Sequence, residues 1–332
     1  MCKICTKMFH IFYFYFIINL KNKRVKFFIG GNIMALWDKE YLKLCKKILE
    51  EGEEVENRTG INTITIPDYH FKFNLEEEFP FLTTKKLFYR RAILEMLWIY
   101  QVQSNDVRWL QNRGVHIWDK WEIGEDGKWR ANQNVIENGN IVKKDIVKDF
   151  GKEYAHTIGT AYGWIVREYN QMNNLIYKLK NNPTDRRKVI SLWQDAHLDT
   201  AVLPSCVWSS VWNVNKGHLN AWVNQRSCDV PLGLPFNVTQ YSVLLYMLAH
   251  VCGLKPGTLN WEISDAHIYV NQIDGIKEQI RRGEELEDLP APELWLNPEV
   301  KDFYDFDNSK DLKDIKVLKY KHHGKINFPI SQ

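Results

Sequence analysis

Apolar side chains recur at helical spacing through Trp37, Tyr41, Leu44 and Ile48, and the run stops at Gly52, which predicts an amphipathic opening helix. The period then changes. Ile61, Thr63 and Thr65 alternate with Asn62, Ile64 and Ile66, and Tyr69, Phe71 and Phe73 carry the period of two beyond Pro67, which predicts strand. A second helix is expected over 87–102, with Phe88, Arg91, Glu95, Trp98 and Val102 on one stripe. Glu95 is the anomaly there, a carboxyl group among Leu94, Met96, Leu97 and Trp98. From Glu122 to Lys152 the chain is polar, rich in Gly, Asn and Lys, and without clear periodicity. Residues 122–157 therefore read as an excursion of loops and short elements inserted in the main domain.

Val166, Tyr169, Met172, Ile176 and Leu179 predict a helix ending before Pro183, and Val189 to Trp193 a short strand, with Arg186 and Arg187 between them. Cys206 to Arg226 reads as two long strands joined at Asn215-Lys216-Gly217-His218. If the turn centres on Lys216 and Gly217, pairing puts Cys206 opposite Ser227 with Arg226 beside it, and a bulge would shift this by one. Helices are expected at about 236–252, stopped by Gly253, and at about 269–282, stopped by Gly283; alternation returns from Ile315 to Leu318. Long strands with segregated helices suggest α+β, with a mostly antiparallel or mixed sheet.

The composition, with 45% hydrophobic residues, 13 Trp, 15 Tyr and 16 Phe among 332, excludes a disordered chain, and six Cys are too few for a disulfide framework. The net charge of +3 is unevenly distributed. Residues 1–33 hold Lys3, Lys7, Lys21, Lys23, Arg24 and Lys26 and no acidic side chain, so the body is net acidic. No global field recruits nucleic acid, and an anion must be met by a local cluster of arginines.

The apolar stretch MFHIFYFYFIINL lies behind a positive flank, as in a signal peptide or an anchor, but it is short for a span and no small-residue cleavage site follows. Gly30-Gly31-Asn32-Ile33-Met34 can also be encoded by a purine-rich ribosome-binding sequence before a start codon. We therefore expect a cytoplasmic protein without a membrane partner, beginning at Met34, with 1–33 an upstream leader and 34–332 the domain. Cys2 and Cys5 form a lone CxxC without a second pair, so no metal site is expected.

An arginine next to Cys206 would stabilise its thiolate, the nucleophilic form; the alternative is a buried structural cysteine. In residues 225–241, Gln225, Arg226, Ser227, Asp229 and Asn237 are interleaved with Gly233 and Pro235, a density of hydrogen-bonding groups that a mere loop does not need. Asn237, at the start of an apolar helix, is either a cap or an amide that reads a pyrimidine O4 and N3 edge, held by groups such as Ser227 or the Gly233 loop. Asp265, His267 and Tyr269 alternate just before a helix, either as satisfied core groups or as contacts to a ligand hydroxyl.

These stretches resemble the thymidylate synthase family. The resemblance rests on RTG at Arg58, FPFLTTKK at 79–86, EMLW at Glu95, GVHIWDKW at 114–121, AYG at 161, DRR at 185, LPSCVW at 203, QRSCDVPLGLPFN at 225 and DAHIY at 265. PELW with NPEVKDFYDF, over 292–306, is similar to the Bacillus and Bacillus-phage type. The resemblance implies an α+β homodimer packed through its sheets. It further implies reductive methylation of dUMP to dTMP by 5,10-methylenetetrahydrofolate, which leaves as dihydrofolate, without a metal. Cys206 would add to C6 of uracil, and Glu95 would move protons through water. Arg58, Arg226 and Ser227 would hold the phosphate, with Arg186 and Arg187 from the other subunit. Asn237 would read the base, His267 and Tyr269 the 3′-hydroxyl, and Gln225 and Tyr162 would support the site. Ile117, Trp118, Trp121, Asp229, Leu232, Gly233 and Phe236 would form the folate pocket.

Three positions depart from the family pattern: Val207 stands where most members have His, Pro204-Ser205-Cys206 replaces PPC, and Gln332 replaces an apolar terminal residue. Two rival functions are weighed. A pyrimidine hydroxymethylase of the same fold, acting on dUMP or dCMP, is disfavoured by Asn237 and Trp118. A non-catalytic homologue that binds RNA or a partner, or is tethered to a membrane, is disfavoured by the competent residues at every catalytic position.

Overall fold

The computed structural model describes residues 34–57, 59–137 and 140–330, and of residues 133–137 and 140–141 the backbone alone. Helix α1 (Leu36–Glu51) buries Trp37, Tyr41, Leu44, Cys45 and Ile48, the stripe that its spacing predicts. Strands β1 (Glu53–Val55), β2 (Thr63–Ile66) and β3 (Tyr69–Asn74) follow. β2 and β3 do not form one strand, because the chain passes from one sheet to another at Pro67 and Asp68. Proline offers no N–H to a ladder, so one period of two serves two sheets.

α2 (Tyr89–Tyr100) is buried nearly all round, whereas Arg91, on the predicted stripe, is exposed. After α3 (Val107–Gln111), residues 122–157 are not mainly loops: β4 (Lys128–Glu137) and β5 (Asn140–Asp149) form a long antiparallel hairpin. Its described side chains are mostly exposed or half-buried, so the alternation of a half-buried strand is missing from the sequence. The helix expected through 166–179 is two helices, α4 (Gly163–Glu168) and α5 (Gln171–Asn181), broken where Asn170 takes left-handed φ 49° and ψ 36°.

β6 (Val189–Ser191), β7 (Val207–Asn215), β8 (His218–Gln225), β9 (Cys228–Asp229), α6 (Gly233–Val251), β10 (Lys255–Ile263), β11 (Ala266–Tyr269), α7 (Ile273–Glu285), β12 (Glu293–Leu296) and β13 (Ile315–Leu318) complete the chain. Lys216 and Gly217, at φ 49° and 79°, make the tight β7–β8 turn. Pairing runs from Asn215–His218 to Ser209–Asn224, then a bulge sets Val207 opposite Gln225. Cys206 therefore faces Arg226 and not Ser227: the Arg226 N–H donates to the Cys206 carbonyl at 2.9 Å.

α6 begins at Gly233 with Leu232 at its N-cap, so Asn237 lies inside the helix and caps nothing. Tyr269 ends a strand and caps a 3-10 turn (Val270–Gln272) that leads directly into α7, so the helical run starts where expected, but it continues through Gly283. A Cβ at Gly283 would lie 2.2 Å from Leu42 Cδ1, so this glycine permits close approach to α1 and does not stop α7.

The large sheet has the order β3-β10-β8-β7-β6 and the smaller β1-β2-β11-β9, with β8–β10 and β9–β11 parallel, a mixed arrangement of the expected α+β class. α6 is apolar on nearly every side and packs on β8 and β10, with Val238, Leu245 and Leu248 in one core with Trp212, Val223, Leu259 and Trp261. Each such side chain contributes about 1.5–3 kcal/mol. Cys206, the end of β8, the first turns of α6 and the middle of α2 meet at the rim of this core.

Candidate active site

The site starts from Cys206, immediately before β7. Its backbone N–H donates to Tyr162 Oη at 3.3 Å. Tyr162 is held at φ 48° and ψ −108°, an unfavourable region for a residue with a Cβ, and this strain aims the phenol at the cysteine. Arg226 lies with Nη2 3.9 Å from Cys206 Sγ. The Ser205 and Pro204 carbonyls accept from its Nε and Nη2 at 3.1 and 2.9 Å and fix the guanidinium. A cation that keeps its proton is thus held beside the thiol, an arrangement that favours thiolate.

A directed chain of hydrogen bonds runs through the neighbouring side chains. The Trp261 indole donates to Gln225 Oε1 at 3.0 Å, Gln225 Nε2 to Asn237 Oδ1 at 3.1 Å, and Asn237 Nδ2 to Gln240 Oε1 at 3.1 Å. Gln240 Nε2 then donates to Glu95 Oε2 at 2.6 Å, and Trp118 Nε1 to Glu95 Oε1 at 2.7 Å. An indole N–H only donates, so Trp261 sets the orientation of each amide after it. Gln225 and Gln240 hold Asn237, in place of the Ser227 and Gly233 loop expected from the sequence. Burial raises the Glu95 carboxyl to about 7, although the bonds from Trp118 and Gln240 work in the opposite direction.

A second cluster surrounds Asp265. Thr65 Oγ1 and Ser227 Oγ donate to its two oxygens at 2.5 and 2.9 Å, and His267 Nδ1 is 3.2 Å away. Burial acts to raise this carboxyl, but the bonds from His267, Thr65 and Ser227 prevail and hold it at about 2. The His267 and Tyr269 rings meet edge-on at 5.2 Å. The Ser227 hydroxyl hydrogen is thus engaged by Asp265.

Asp229 accepts from Leu232 N at 3.1 Å and Gln272 Nε2 at 3.2 Å, and burial raises its carboxyl above the ordinary range. A cavity of about 150 Å³ is lined by Lys85, Phe88, Leu232, Phe236 and Phe328 among others, and Leu232 links it to Asp229 through its N–H. Trp118 packs edge-on against Trp121 and Tyr162 at 5.5 and 5.2 Å, and Ile117 lies half-buried against the same core.

Arg58 and Gln332 lie outside the described residues. Arg187 is 85% exposed in its side chain, with Nε 3.0 Å from Asp185, and precedes β6 at the end remote from Cys206. Sequence reasoning missed Gln240, Trp261 and Gln272. Only Gln240 left a signal, a polar residue one helical turn beyond Asn237 in a mostly apolar helix.

Among the described residues, none of the helices is long and apolar enough to cross a membrane, and no group of three His, Cys, Asp or Glu is placed to hold a metal ion. A sequence model described as thymidylate synthase matches residues 39–332. A thymidylate synthase of Clostridium beijerinckii is 44% identical over 298 residues, covering 90% of this chain and all of the relative. That of Bacillus phage phi3T is 38% identical over 317 residues, with the same coverage. The solved thermostable thymidylate synthase A from Bacillus subtilis superposes with a TM-score of 0.72 at 37% identity, covering 89% of this chain and 99% of that one. The chain belongs to the thymidylate synthase family. It is an enzyme that methylates dUMP, a methyltransferase with methylenetetrahydrofolate as cosubstrate.

Proposed function

We propose that residues 34–332 act as one catalytic domain in which Cys206 adds to C6 of the uracil of dUMP. The observation that carries this reading is the Arg226 guanidinium fixed 3.9 Å from Cys206 Sγ. C5 of uracil is a poor nucleophile until a thiolate adds at C6 and raises its electron density. The Sγ–C6 bond forms first; C5 bonds to the one-carbon unit and loses its proton. The bond from that carbon to the folate nitrogen breaks. The folate's hydride adds to the resulting exocyclic methylene carbon, and the Sγ–C6 bond breaks as the C5–C6 double bond re-forms. Methylenetetrahydrofolate supplies both the carbon and the hydride and leaves as dihydrofolate. Glu95 moves the protons, and its carboxyl near 7 suits it to both directions of transfer.

Arg58, Arg226 and Ser227 bind the phosphate, a dianion that guanidinium groups match in charge and geometry, with the Ser227 hydroxyl turning from Asp265 to donate to it. Asn237 reads O4 and N3, with Gln225 behind it; His267 and Tyr269 hold the 3′-hydroxyl. The cavity between Phe236, Leu232 and Phe328 fits an aromatic ring system, and Asp229, linked to it through the Leu232 N–H, fits its N–H donors. Ile117, Trp118, Trp121 and Gly233 complete that pocket, with Trp118 also positioning Glu95.

The enzyme works as a cytoplasmic homodimer packed through the outer face of the large sheet, without a membrane or nucleic-acid partner. Support comes from Trp208, Trp222 and Val189, which are 38, 42 and 49% exposed on that face or its edge. Arg186 and Arg187 then complete the phosphate site of the partner.

The test is incubation with dUMP and methylenetetrahydrofolate, following dihydrofolate and the pyrimidine product together. dTMP and dihydrofolate are expected in equal amounts; a 5-hydroxymethyl product would assign the other chemistry. Cys206→Ala should lower turnover by at least about 10³-fold and leave dUMP affinity within a few fold. Near-normal turnover in that variant would sink the mechanism.

A further inference from the structure

Gln272 is buried at the junction of three parts of the molecule, and its amide meets each of them. Its Oε1 accepts from the Tyr269 N–H at 3.2 Å, at the end of β11. Its Nε2 donates to Asp229 Oδ2 at 3.2 Å, in β9, and to the Pro329 carbonyl at 3.1 Å, in the C-terminal tail. One amide therefore uses its acceptor on its own capping turn, directly after β11, and both donor hydrogens on two distant segments. The tail is also seated next to this point. A Cβ on Gly275 would lie 2.5 Å from the Phe328 ring, so the glycine makes room for it, and Lys85 Nζ stands 4.6 Å from the same ring.

We propose that Gln272 is a positioning residue that couples the nucleotide side of the site to the folate side by holding the Tyr269 backbone, the Asp229 carboxylate and the C-terminal tail in one arrangement. The inference rests on the reading of Tyr269 as a nucleotide contact and of Asp229 as a folate contact. Its physical basis is the fixed geometry of an amide: moving Tyr269 displaces Oε1, and the same rigid group carries the donors to Asp229 and Pro329. Ordering these donors by nucleotide binding lowers what folate must order afterwards, which is a positive coupling between the two ligands. The other titratable groups facing Asp229 are Lys85, His267, Tyr41 and Cys228.

The experiment measures the affinity of the full-length chain for tetrahydrofolate, which lacks the one-carbon unit and does not react, with and without saturating dUMP. In the wild type, dUMP should tighten tetrahydrofolate binding. In Gln272→Leu, dUMP affinity should stay within about twofold while at least about fivefold of that tightening is lost. In a Phe328→Ala background, which frees the tail, the same substitution should remove clearly less. Gln272→Glu keeps the acceptor for Tyr269 but places a carboxylate against Asp229. The tightening should therefore be lost at high pH and recover as pH falls and one of the two carboxyls takes a proton. An active wild type in which Gln272→Leu and Gln272→Glu keep the full tightening at every pH, or in which the effects of Gln272→Leu and Phe328→Ala multiply independently, would overturn the coupling alone. A wild type that forms no dTMP would instead defeat the reading on which the coupling rests.

Discussion

Glu95 and Asn237 lie on one hydrogen-bonded path, so in the proposed mechanism proton transfer and base choice are not separate properties of the site. Gln240 joins them, accepting from Asn237 and donating to Glu95 at 2.6 Å. Glu95 has its carboxyl near 7 in the folded chain against an ordinary 4.5. Between those values the folded protein holds a proton that the unfolded chain has lost, so the Glu95 contribution to stability falls as pH rises from about 4.5 to 7 and is level above. The folded protein loses the acid form only as pH rises through about 7, which predicts a limb in kcat/KM near pH 7. Glu95→Gln should abolish that limb and lower turnover about 10²–10⁴-fold. Gln240→Leu removes a donor that favours the ionised form, so the limb should move up by about one pH unit. A limb that stays in place in Gln240→Leu would mean that Glu95 does not titrate in turnover.

Uracil presents an O4 acceptor beside an N3 donor, and the fixed Asn237 amide matches both only in one orientation. In Asn237→Asp, dCMP turnover relative to dUMP should rise at least about tenfold, the kinetic equivalent of about 1.4 kcal/mol. An unchanged ratio in a folded variant would place base choice elsewhere.

The hairpin of β4 and β5 stands apart from this chemistry. Its described side chains are mostly exposed, and the Ala131–Ile146 pair marks a place where the strands can be shortened without cutting into the core. Replacing the segment between those residues with an Asn-Gly turn should leave turnover within about twofold. A larger loss would give the excursion a role in the site. The contrast with α1 explains what was legible in the sequence. α1 buries one face, so its period of 3.6 is written in the side chains; the hairpin buries little, so its period of two is not. The β7–β8 turn was legible because Gly217 suits the left-handed angle it requires and polar residues flank it, but the bulge that brings Arg226 opposite Cys206 left no local mark. The individual site residues stood out as polar groups in apolar or motif-rich stretches. Their wiring through Trp261, Gln240 and Gln272 did not, because each bond joins segments brought together only by folding.

The same strand register bears on assembly. β6 pairs antiparallel with β7, Val189 opposite Val211 and Ser191 opposite Ser209, so Arg187 precedes the end of β6 that lies farther from Cys206. At about 3.3 Å per residue, its backbone is on the order of 20 Å from that of Cys206, too far for an arginine to share a phosphate with Arg226 in the same chain. The outer sheet face, where Trp222 stacks on His70 at 5.4 Å, offers a second copy a surface with few charges. In the proposed dimer a two-fold axis through that face would bring each chain's Arg187 toward the other's site, so each site would take its cysteine from one chain and an arginine from its partner. Cys206→Ala and Arg187→Ala should then each be nearly inactive alone. Mixed in equal amounts under conditions of subunit exchange, half of the dimers are hybrids, and each hybrid has one intact site. About a quarter of wild-type activity should return. Native mass spectrometry of the mixture establishes the hybrids; their presence without recovered activity would confine each site to a single chain.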